Sequence, residues 1–385
     1  MLTRCYADNY RCLSSFDLQL EPLTVLLGPN GSGKSTLLDL IAHLRDFILG
    51  RESSTKLFPS ETLTRWDQRR EQTFELAVRL DRGNYLYRLR ISHRPEQELN
   101  KVIEEKLSVD AQPLFVSTDQ QTLVYNDRNN PGLQLQPDWH ISGISRVHER
   151  PDNTKLWAFR RFIEGMLVLA PNPAAVTAVA AGKLPVTLPK PDCSDFAAWL
   201  RYVSNSVALA RQEMEQNLKT ELPGFRVFQA ERSGDAEILQ CIFQSGSIIK
   251  QFRLDELSSG QVALIILETA IAVVGQQRGA LLLDEPSNFL GLSEIHPLLT
   301  RLQDAALEGR YQVILSAHHP VAVNFLAAAH GLWLEREPIG PTRVSRIHVD
   351  RDIAEGKAGV SVSDLVARGW LSGLGTNLPD ATAKP

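Results

Sequence analysis

One short segment of the sequence has the residue types and spacing of a phosphate-binding loop. Residues 28–35 read GPNGSGKS and fit the pattern GxxxxGK[ST]. Glycines let such a loop turn its N–H groups inward around phosphate oxygens, and the following helix adds its positive N-terminal end. In this pattern Lys34 meets the β- and γ-phosphates, and the Ser35 hydroxyl binds Mg²⁺. The candidate nucleotide contacts are therefore Asn30, Gly31, Ser32, Gly33, Lys34, Ser35 and Thr36.

Two neighbouring acids, Asp284 and Glu285, end the apolar run Leu281–Leu283. A strand can deliver a carboxylate to the C-terminal edge of a parallel sheet, which is where phosphates bind. Asp284 is predicted to hold Mg²⁺ through water, and Glu285 to orient or deprotonate the attacking water. The alternative is a strand that simply ends in a charged turn, but a phosphate loop upstream favours the catalytic interpretation.

A histidine pair, His318 and His319, follows another apolar run, Val313–Leu315. A neutral histidine at a strand end can hydrogen-bond a γ-phosphate oxygen or the attacking water. Its position after the acid pair favours His318 for this role, with His319 as a neighbour. A metal site built on both histidines lacks obvious further ligands.

A polar turn, Ser258-Ser259-Gly260-Gln261, directly precedes an almost wholly apolar helix. A serine at such a position satisfies backbone N–H groups that have no partner within the helix. From these residues alone, a simple helix cap and a cap with a second role both remain open.

Apolar runs and turn residues outline the elements that must position these groups. Leu23–Leu27 is predicted to be a buried strand, followed by a helix from about Lys34 to Ile48. Residues 73–125 alternate between polar and apolar in short stretches, which is typical of an antiparallel sheet. The wholly apolar cores of GALLLDE and YQVILSA suit central parallel strands.

The middle of the chain has a different character. Residues 126–154 are rich in Asn, Pro and Gly and mark a candidate boundary. Residues 155–222 are predicted to be mostly helical, with a proline-rich break at 171–191. Phe225–Ala230 and Glu237–Gln244 are predicted to be two further strands.

Composition places few limits on function. The 385 residues are 43% hydrophobic and 22% charged, and a net charge of −4 gives no standing attraction to nucleic acid. The four cysteines form no CxxC pair, which predicts reduced thiols in a cytoplasmic protein. The most apolar run, Val262–Val274, contains Glu268 and is shorter than the roughly 20 residues that span a bilayer. We therefore expect a buried helix and no membrane association.

The order of the motifs resembles that of the ABC-type ATPases: a phosphate loop, LSSGQ, LLLDEP and a strand-end histidine. The resemblance implies that two heads dimerise and that each signature caps the ATP held by the other. Under it, the nucleotide contacts also include Ser258, Ser259, Gly260 and Gln261. Ser259 replaces the first glycine of the usual LSGGQ.

The distance between the phosphate loop and the signature separates this chain from the transporter branch of the family. Leu257 lies 223 positions after Lys34, far more than in a transporter head. The opening NYRCLSSFDLQLEPLTVLLGPNGSGKST is similar to that of the RecF/SMC-like group and of stand-alone AAA-family ATPases close to the overcoming-lysogenisation-defect (OLD) proteins. This implies an α/β P-loop NTPase of the ABC-type head, with a mostly parallel core sheet, an antiparallel β insert and a helical lobe.

The implied domains are a nucleotide-binding lobe, a signature lobe and a disordered tail. The first comprises residues 1–150 and 277–370, the second residues 151–276, and the tail residues 371–385. The implied activity is Mg²⁺-dependent ATP hydrolysis by a homodimer or higher assembly, acting on DNA or on a nuclease or other effector in DNA repair or phage defence.

Two alternatives remain open: an OLD-like protein with its own nuclease, and an ABC transporter ATP-binding subunit. Only 67 residues follow His318, short of a typical domain of about 100. Glu96, Glu104 and Lys106 loosely resemble a nuclease cluster, although charges on an alternating strand usually form its solvated face.

Three positions leave details of the resemblance open. Gly291 stands where the family's D-loop usually has Asp. Gln72 is a weak Q-loop candidate, and Arg11 faces either the nucleotide or solvent. Basic pairs such as Arg69-Arg70 and Arg160-Arg161 could contact phosphates but are usually plain surface.

Overall fold

A computed structural model describes residues 1–94, 99–182, 184–234, 236–347 and 360–368. The chain divides into two compact units. The phosphate-loop unit comprises residues 2–160 together with the chain from residue 316 onwards, and the signature unit comprises residues 161–315.

The phosphate-loop unit contains an antiparallel sheet of eight strands. In spatial order these are β2 (Phe16–Gln19), β1 (Leu2–Asp8), β4 (Glu71–Leu80), β5 (Gly83–Arg94), β6 (Leu99–Val109), β7 (Gln112–Thr118), β8 (Thr122–Tyr125) and β9 (Pro131–Leu135). Alternate residues of β5, such as Tyr85, Tyr87 and Leu89, are buried, because successive side chains of a strand point to opposite faces. The predicted β insert is confirmed, and β1 extends its sheet by pairing with β4.

A second set of strands in this unit carries the phosphate loop. β3 (Leu23–Leu27) pairs in parallel with β17 (Gly331–Glu335), which pairs antiparallel with β18 (Arg343–Arg346). Every residue of β3 is buried, as predicted for a strand covered on both faces. The helices are α1 (Lys34–Ile48), α2 (Ser54–Leu57), α8 (Pro320–His330) and α9 (Val362–Ala367), and α3 (Thr154–Glu164) begins here and ends in the other unit.

Three parallel strands form the centre of the signature unit. β15 (Ala280–Leu283) lies between β10 (Met166–Leu169) and β16 (Gln312–Ser316), whose last residue belongs to the other unit. All residues of these strands are buried. β10 lies in a segment that was predicted to be helical, because a four-residue apolar run has no periodicity that separates strand from helix.

The rest of the signature unit combines helices with a four-stranded antiparallel sheet. The helices are α4 (Phe196–Ser206), α5 (Ala208–Glu221), α6 (Ser259–Gln277) and α7 (Leu292–Leu307). The strands are β11 (Val179–Ala180), β12 (Phe225–Ser233), β13 (Ala236–Ser245) and β14 (Ile248–Arg253). Among the described helices only α6 is long and apolar enough to cross a membrane, and Val262–Val274 is buried within the fold.

The compact units differ from the predicted lobes in two segments. Residues 151–160, predicted to lie in the signature lobe, belong to the phosphate-loop unit. Residues 277–315 lie with the signature helix rather than with the phosphate loop, because β15 pairs with both β10 and β16. The candidate boundary at 126–154 lies inside the phosphate-loop unit and contains β9. The predicted functional lobes stay a prediction, and the tail at 371–385 lies outside the described residues.

Candidate functional site

The phosphate loop is shaped by glycines at positions where a side chain would collide. Gly28, directly after β3, has φ +143°, and a Cβ there would lie 1.9 Å from the carbonyl oxygen of Leu334 at the end of β17. Gly33, directly before α1, has φ +107°, and its Cβ would lie 2.7 Å from Thr342 Oγ1. Both positions require left-handed backbone and close approach, so only glycine fits without strain.

Two polar side chains lie inside this loop. Lys34 is buried, and its Nζ donates hydrogen bonds to the carbonyl oxygens of Gly28 (2.8 Å) and Pro29 (3.2 Å). Ser32 Oγ is buried and has no hydrogen-bond partner among the described residues. A buried hydroxyl without a partner is costly unless a ligand supplies one.

The N-terminus of α1 opens onto the same loop. The N-cap is Gly33, which has no side chain to cap the helix, and the positive end of the helix dipole favours an anion there. Asn30, Gly31 and Ser35 are exposed, and Thr36 is half-buried. The glycine loop, Lys34 and the start of α1 thus fit a phosphate group. The Ser35 hydroxyl can act as a ligand of Mg²⁺.

The acid pair follows β15 in the signature unit. The N–H of Asp284 donates to Leu169 O at 2.8 Å, which extends the pairing with β10 by one residue. Glu285 has φ +51°, a left-handed conformation that is rare for a residue other than glycine, asparagine or aspartate. Such strain persists where the surrounding structure enforces it, and it is concentrated at functional sites.

A residue that the sequence analysis did not single out, Asn172, follows a strand that pairs with the strand before the acid pair. It follows β10 by three positions, and β10 and β15 end at the same sheet edge because they are parallel. Asn172 is exposed and precedes a 3₁₀ turn without capping it through its side chain. The position of Asn172 is apparent only from the pairing of β10 with β15, and no sequence motif marks this residue.

The two histidines have different environments. His318 follows β16 and is exposed, and the preceding Ala317 N–H donates to Leu26 O of β3 at 3.2 Å. His318 and the phosphate loop therefore belong to the same unit, both next to β3. His319 caps α8, because its Nδ1 accepts the N–H of Val321 at 3.2 Å.

The signature residues form the start of α6. Ser258 Oγ accepts the N–H of Gln261, and Gln261 Oε1 accepts the N–H of Ser258, which is a capping box. Ser258 and Ser259 are exposed. A Cβ on Gly260 would lie 3.0 Å from the carbonyl oxygen of Phe289, so a small residue is needed there.

The structure also shows the surroundings of Gly291 and Gln72, the candidates for the D-loop and Q-loop positions. Gly291 is the N-cap of α7, where its N–H donates to Glu294 Oε2 at 2.8 Å. Gln72 is fully buried and hydrogen-bonds Asn9 and Thr62, with its Oε1 2.9 Å from His93 Nε2, so it is not a Q-loop residue open to nucleotide.

The remaining basic and acidic candidates are held by ion pairs or backbone contacts. Arg11 NH1 contacts Asp39 Oδ2 of α1 at 3.0 Å while remaining partly exposed. Lys106 Nζ contacts Glu104 Oε2 at 2.8 Å, and Glu96 lies outside the described residues. Within the basic pairs, Arg69 binds Asp8 and Asp67, and Arg160 donates to the backbone carbonyls of Ile144, Ser145 and Val147.

Part of the chain matches a known family and a curated relative. Residues 1–138 match the family described as the AAA ATPase domain. This match covers the phosphate loop and the eight-stranded antiparallel sheet. The OLD nuclease of Thermus scotoductus is 50% identical over 50 residues. That match covers 13% of this chain and 9% of the relative.

Two SMC head domains are among the solved structures that are similar to this chain. The SMC head domain bound to the C-terminal domain of ScpA, from Pyrococcus furiosus, covers 89% of this chain and 95% of its own, with 11% identity and a TM-score of 0.51. The SMC head domain of Thermotoga maritima covers 90% and 99%, with 13% identity and a TM-score of 0.45. The former likeness shows that this chain has the SMC head fold.

Proposed function

We propose that this chain binds and hydrolyses ATP with Mg²⁺, and that hydrolysis switches a dimer between two states. The phosphate loop carries the proposal, since a buried lysine, a buried hydroxyl without a partner among the described residues and a helix start with a glycine N-cap lie in one loop. A phosphate oxygen would supply the partner that the buried Ser32 hydroxyl lacks among the described residues.

Each residue then has a defined task. Lys34 binds the β- and γ-phosphates, and the loop N–H groups hold their oxygens. Ser35 and Asp284 would hold Mg²⁺, which neutralises phosphate charge when bound with the nucleotide. Glu285 accepts a proton from the attacking water, and His318 donates a hydrogen bond to the γ-phosphate. Asn172, which follows β10 beyond its pairing with β15, is proposed to orient water near the acid pair.

Nucleotide binding and turnover by two variants test this assignment. Glu285→Gln should retain ATP affinity and lose turnover, since it removes only the basic carboxylate. Lys34→Ala should weaken binding itself, because it deletes the charge that meets the phosphates. Glu308→Gln, at an exposed carboxylate after α7, is the matched control and should behave as wild type. Turnover by Glu285→Gln at the wild-type rate would reject Glu285 as the base.

We propose further that the signature of one chain meets the ATP of another. Lys34→Ala and Ser258→Arg should each be inactive alone, whereas a mixed dimer has one intact site. Random mixing should restore about a quarter of wild-type activity if the two sites fire independently. If both must fire together, ATP-dependent dimerisation measured by light scattering replaces activity as the readout. If activity is not restored and no ATP-dependent dimer forms, the shared site is rejected.

The downstream target in this proposal is DNA or a protein effector such as a nuclease, within DNA repair or phage defence. Four buried cysteines without disulfides support a cytoplasmic location. Because the net charge is −4, DNA should bind only the ATP-closed dimer and should dissociate with rising salt. DNA affinity of Glu285→Gln, with and without ATP at two salt concentrations, measures this. Absence of binding in every condition would favour a protein target.

A further inference from the structure

The segment between β17 and β18 ends at a residue that contacts the phosphate loop. Thr342 is buried, with 4% of its surface exposed. Its hydroxyl donates a hydrogen bond to the carbonyl oxygen of Ser32 at 2.8 Å. The two residues are 310 positions apart in sequence, so this contact exists only in the folded chain.

Thr342 is itself held by the N-terminal part of the chain. Its N–H donates to Cys12 O at 2.8 Å, and Cys12 lies in a tight turn closed by reciprocal hydrogen bonds between Tyr10 and Leu13. A Cβ on Gly33 would lie 2.7 Å from Thr342 Oγ1 and 3.1 Å from Cys12 Sγ. The hydroxyl is therefore confined between this turn and the phosphate loop.

The peptide unit between Ser32 and Gly33 explains why this contact matters. In a trans peptide the carbonyl oxygen and the following N–H point in opposite directions. Because the Thr342 hydroxyl holds the Ser32 oxygen on one side, the Gly33 N–H points to the other. Rotation of the peptide would turn the carbonyl oxygen, with its negative partial charge, towards a bound phosphate.

We propose that Thr342 is a positioning residue that sets the orientation of the Ser32–Gly33 peptide for phosphate binding. The role rests on the proposed ATP binding and adds a specific residue to it. Thr342 does not touch the nucleotide. Its effect passes through one hydrogen bond, so it should change nucleotide affinity more than the rate of the chemical step.

Three variants of the full chain separate positioning from general stability. Thr342→Val keeps the shape and removes the donor, and Thr342→Ser keeps the donor. Thr24→Val is the matched control, since Thr24 is also buried and hydrogen-bonds backbone groups of Glu21, at the opposite end of β3. The probe is a fluorescent ATP analogue with Mg²⁺, and KM and kcat for ATP are measured in parallel.

Thr342→Val should weaken nucleotide binding about tenfold, as expected for one lost hydrogen bond, and raise KM more than it lowers kcat. Thr342→Ser should restore affinity to near wild type, and Thr24→Val should lower thermal stability only. Wild-type affinity in Thr342→Val, or equal weakening by Thr24→Val, would overturn the positioning role alone. Failure of the wild-type chain to bind the analogue would overturn the proposed ATP binding and, with it, this role.

Discussion

Ser258 and Gln261 cap helix α6 reciprocally: Ser258 Oγ accepts the N–H of Gln261 at 3.3 Å, and Gln261 Oε1 accepts the N–H of Ser258 at 3.0 Å. Both hydrogen bonds are local and solvent-accessible. The cap is therefore complete within one chain, and any role towards a nucleotide uses the exposed face of the same residues.

A matched pair of substitutions separates these two roles. The variants Ser258→Asn and Ser258→Asp introduce side chains of similar size, and asparagine and aspartate both cap helices well. Both variants should keep thermal stability within about 1 kcal/mol of wild type. ATPase activity should survive in Ser258→Asn and fall at least about tenfold in Ser258→Asp, because a carboxylate would repel a facing phosphate. Equal activity of the two variants would leave Ser258 as a helix cap only.

The left-handed backbone of Glu285 predicts that replacement by glycine abolishes turnover but relieves backbone strain. Glu285→Ala removes the carboxylate but keeps the strain, whereas Glu285→Gly removes both. Glu285→Gly should be more stable than Glu285→Ala by about 1 kcal/mol in denaturant unfolding, and both should lack turnover. Greater stability of Glu285→Ala would show that φ at this position relaxes without cost.

A buried ion pair links helices α6 and α7. The Glu268 side chain is fully buried and accepts hydrogen bonds from Arg301 and Asn217. Burial raises the pKa of Glu268, and the Arg301 guanidinium opposes that rise. Arg301→Ala should therefore cost about 3 kcal/mol at pH 7.5, because it leaves a buried carboxylate without its cation.

The pH dependence of that loss is the decisive measurement. Without Arg301 the pKa of Glu268 rises further, so the variant should regain stability on acidification as the carboxyl takes up a proton. Adding Glu268→Gln to Arg301→Ala should also restore stability. Glu221→Gln, at a more distant partner of Arg301, is the control and should cost little. A loss independent of pH would mean that packing rather than charge explains the effect.

Glu105 predicts pH-dependent stability of the antiparallel sheet. It is buried and accepts hydrogen bonds from Tyr87, Ser142 and Gly143. Burial raises its pKa to about 7, and the bonds from Ser142 and Gly143 work against that rise. The pKa of Glu105 is higher in the folded chain than in the unfolded chain, so protonation of Glu105 stabilises the fold. This stabilisation is complete below about pH 4.5 and is lost as pH rises through about 7.

Thermal unfolding between pH 5 and pH 8 measures this contribution, which is on the order of 3 kcal/mol. Glu105→Gln lacks the titrating group, so its stability should fall less than that of the wild type over the range. Parallel curves for the two proteins would show that Glu105 keeps the same charge in the folded and unfolded chains.

Local sequence was enough to predict the parts of the site that are contiguous in the chain. β3, the glycine-rich loop and α1 were predicted with their bounds, because the loop's chemistry comes from neighbouring backbone groups and one lysine. The antiparallel insert was predicted for the same reason, since alternation along a single strand marks its buried face. The roles of Glu285 and His318 stay predictions from motif order.

Only the tertiary structure decided which distant residues support those motifs. Gln72 has polar chemistry suited to a nucleotide site, yet the fold buries it in a hydrogen-bond network with Asn9, Thr62 and His93. Asn172 and the acid pair follow strands that end at the same sheet edge, because β10 pairs in parallel with β15. Thr342 reaches Ser32 across 310 positions of sequence. A sequence pattern records propensities over a few residues, whereas burial and hydrogen bonding between distant segments depend on how the whole chain packs.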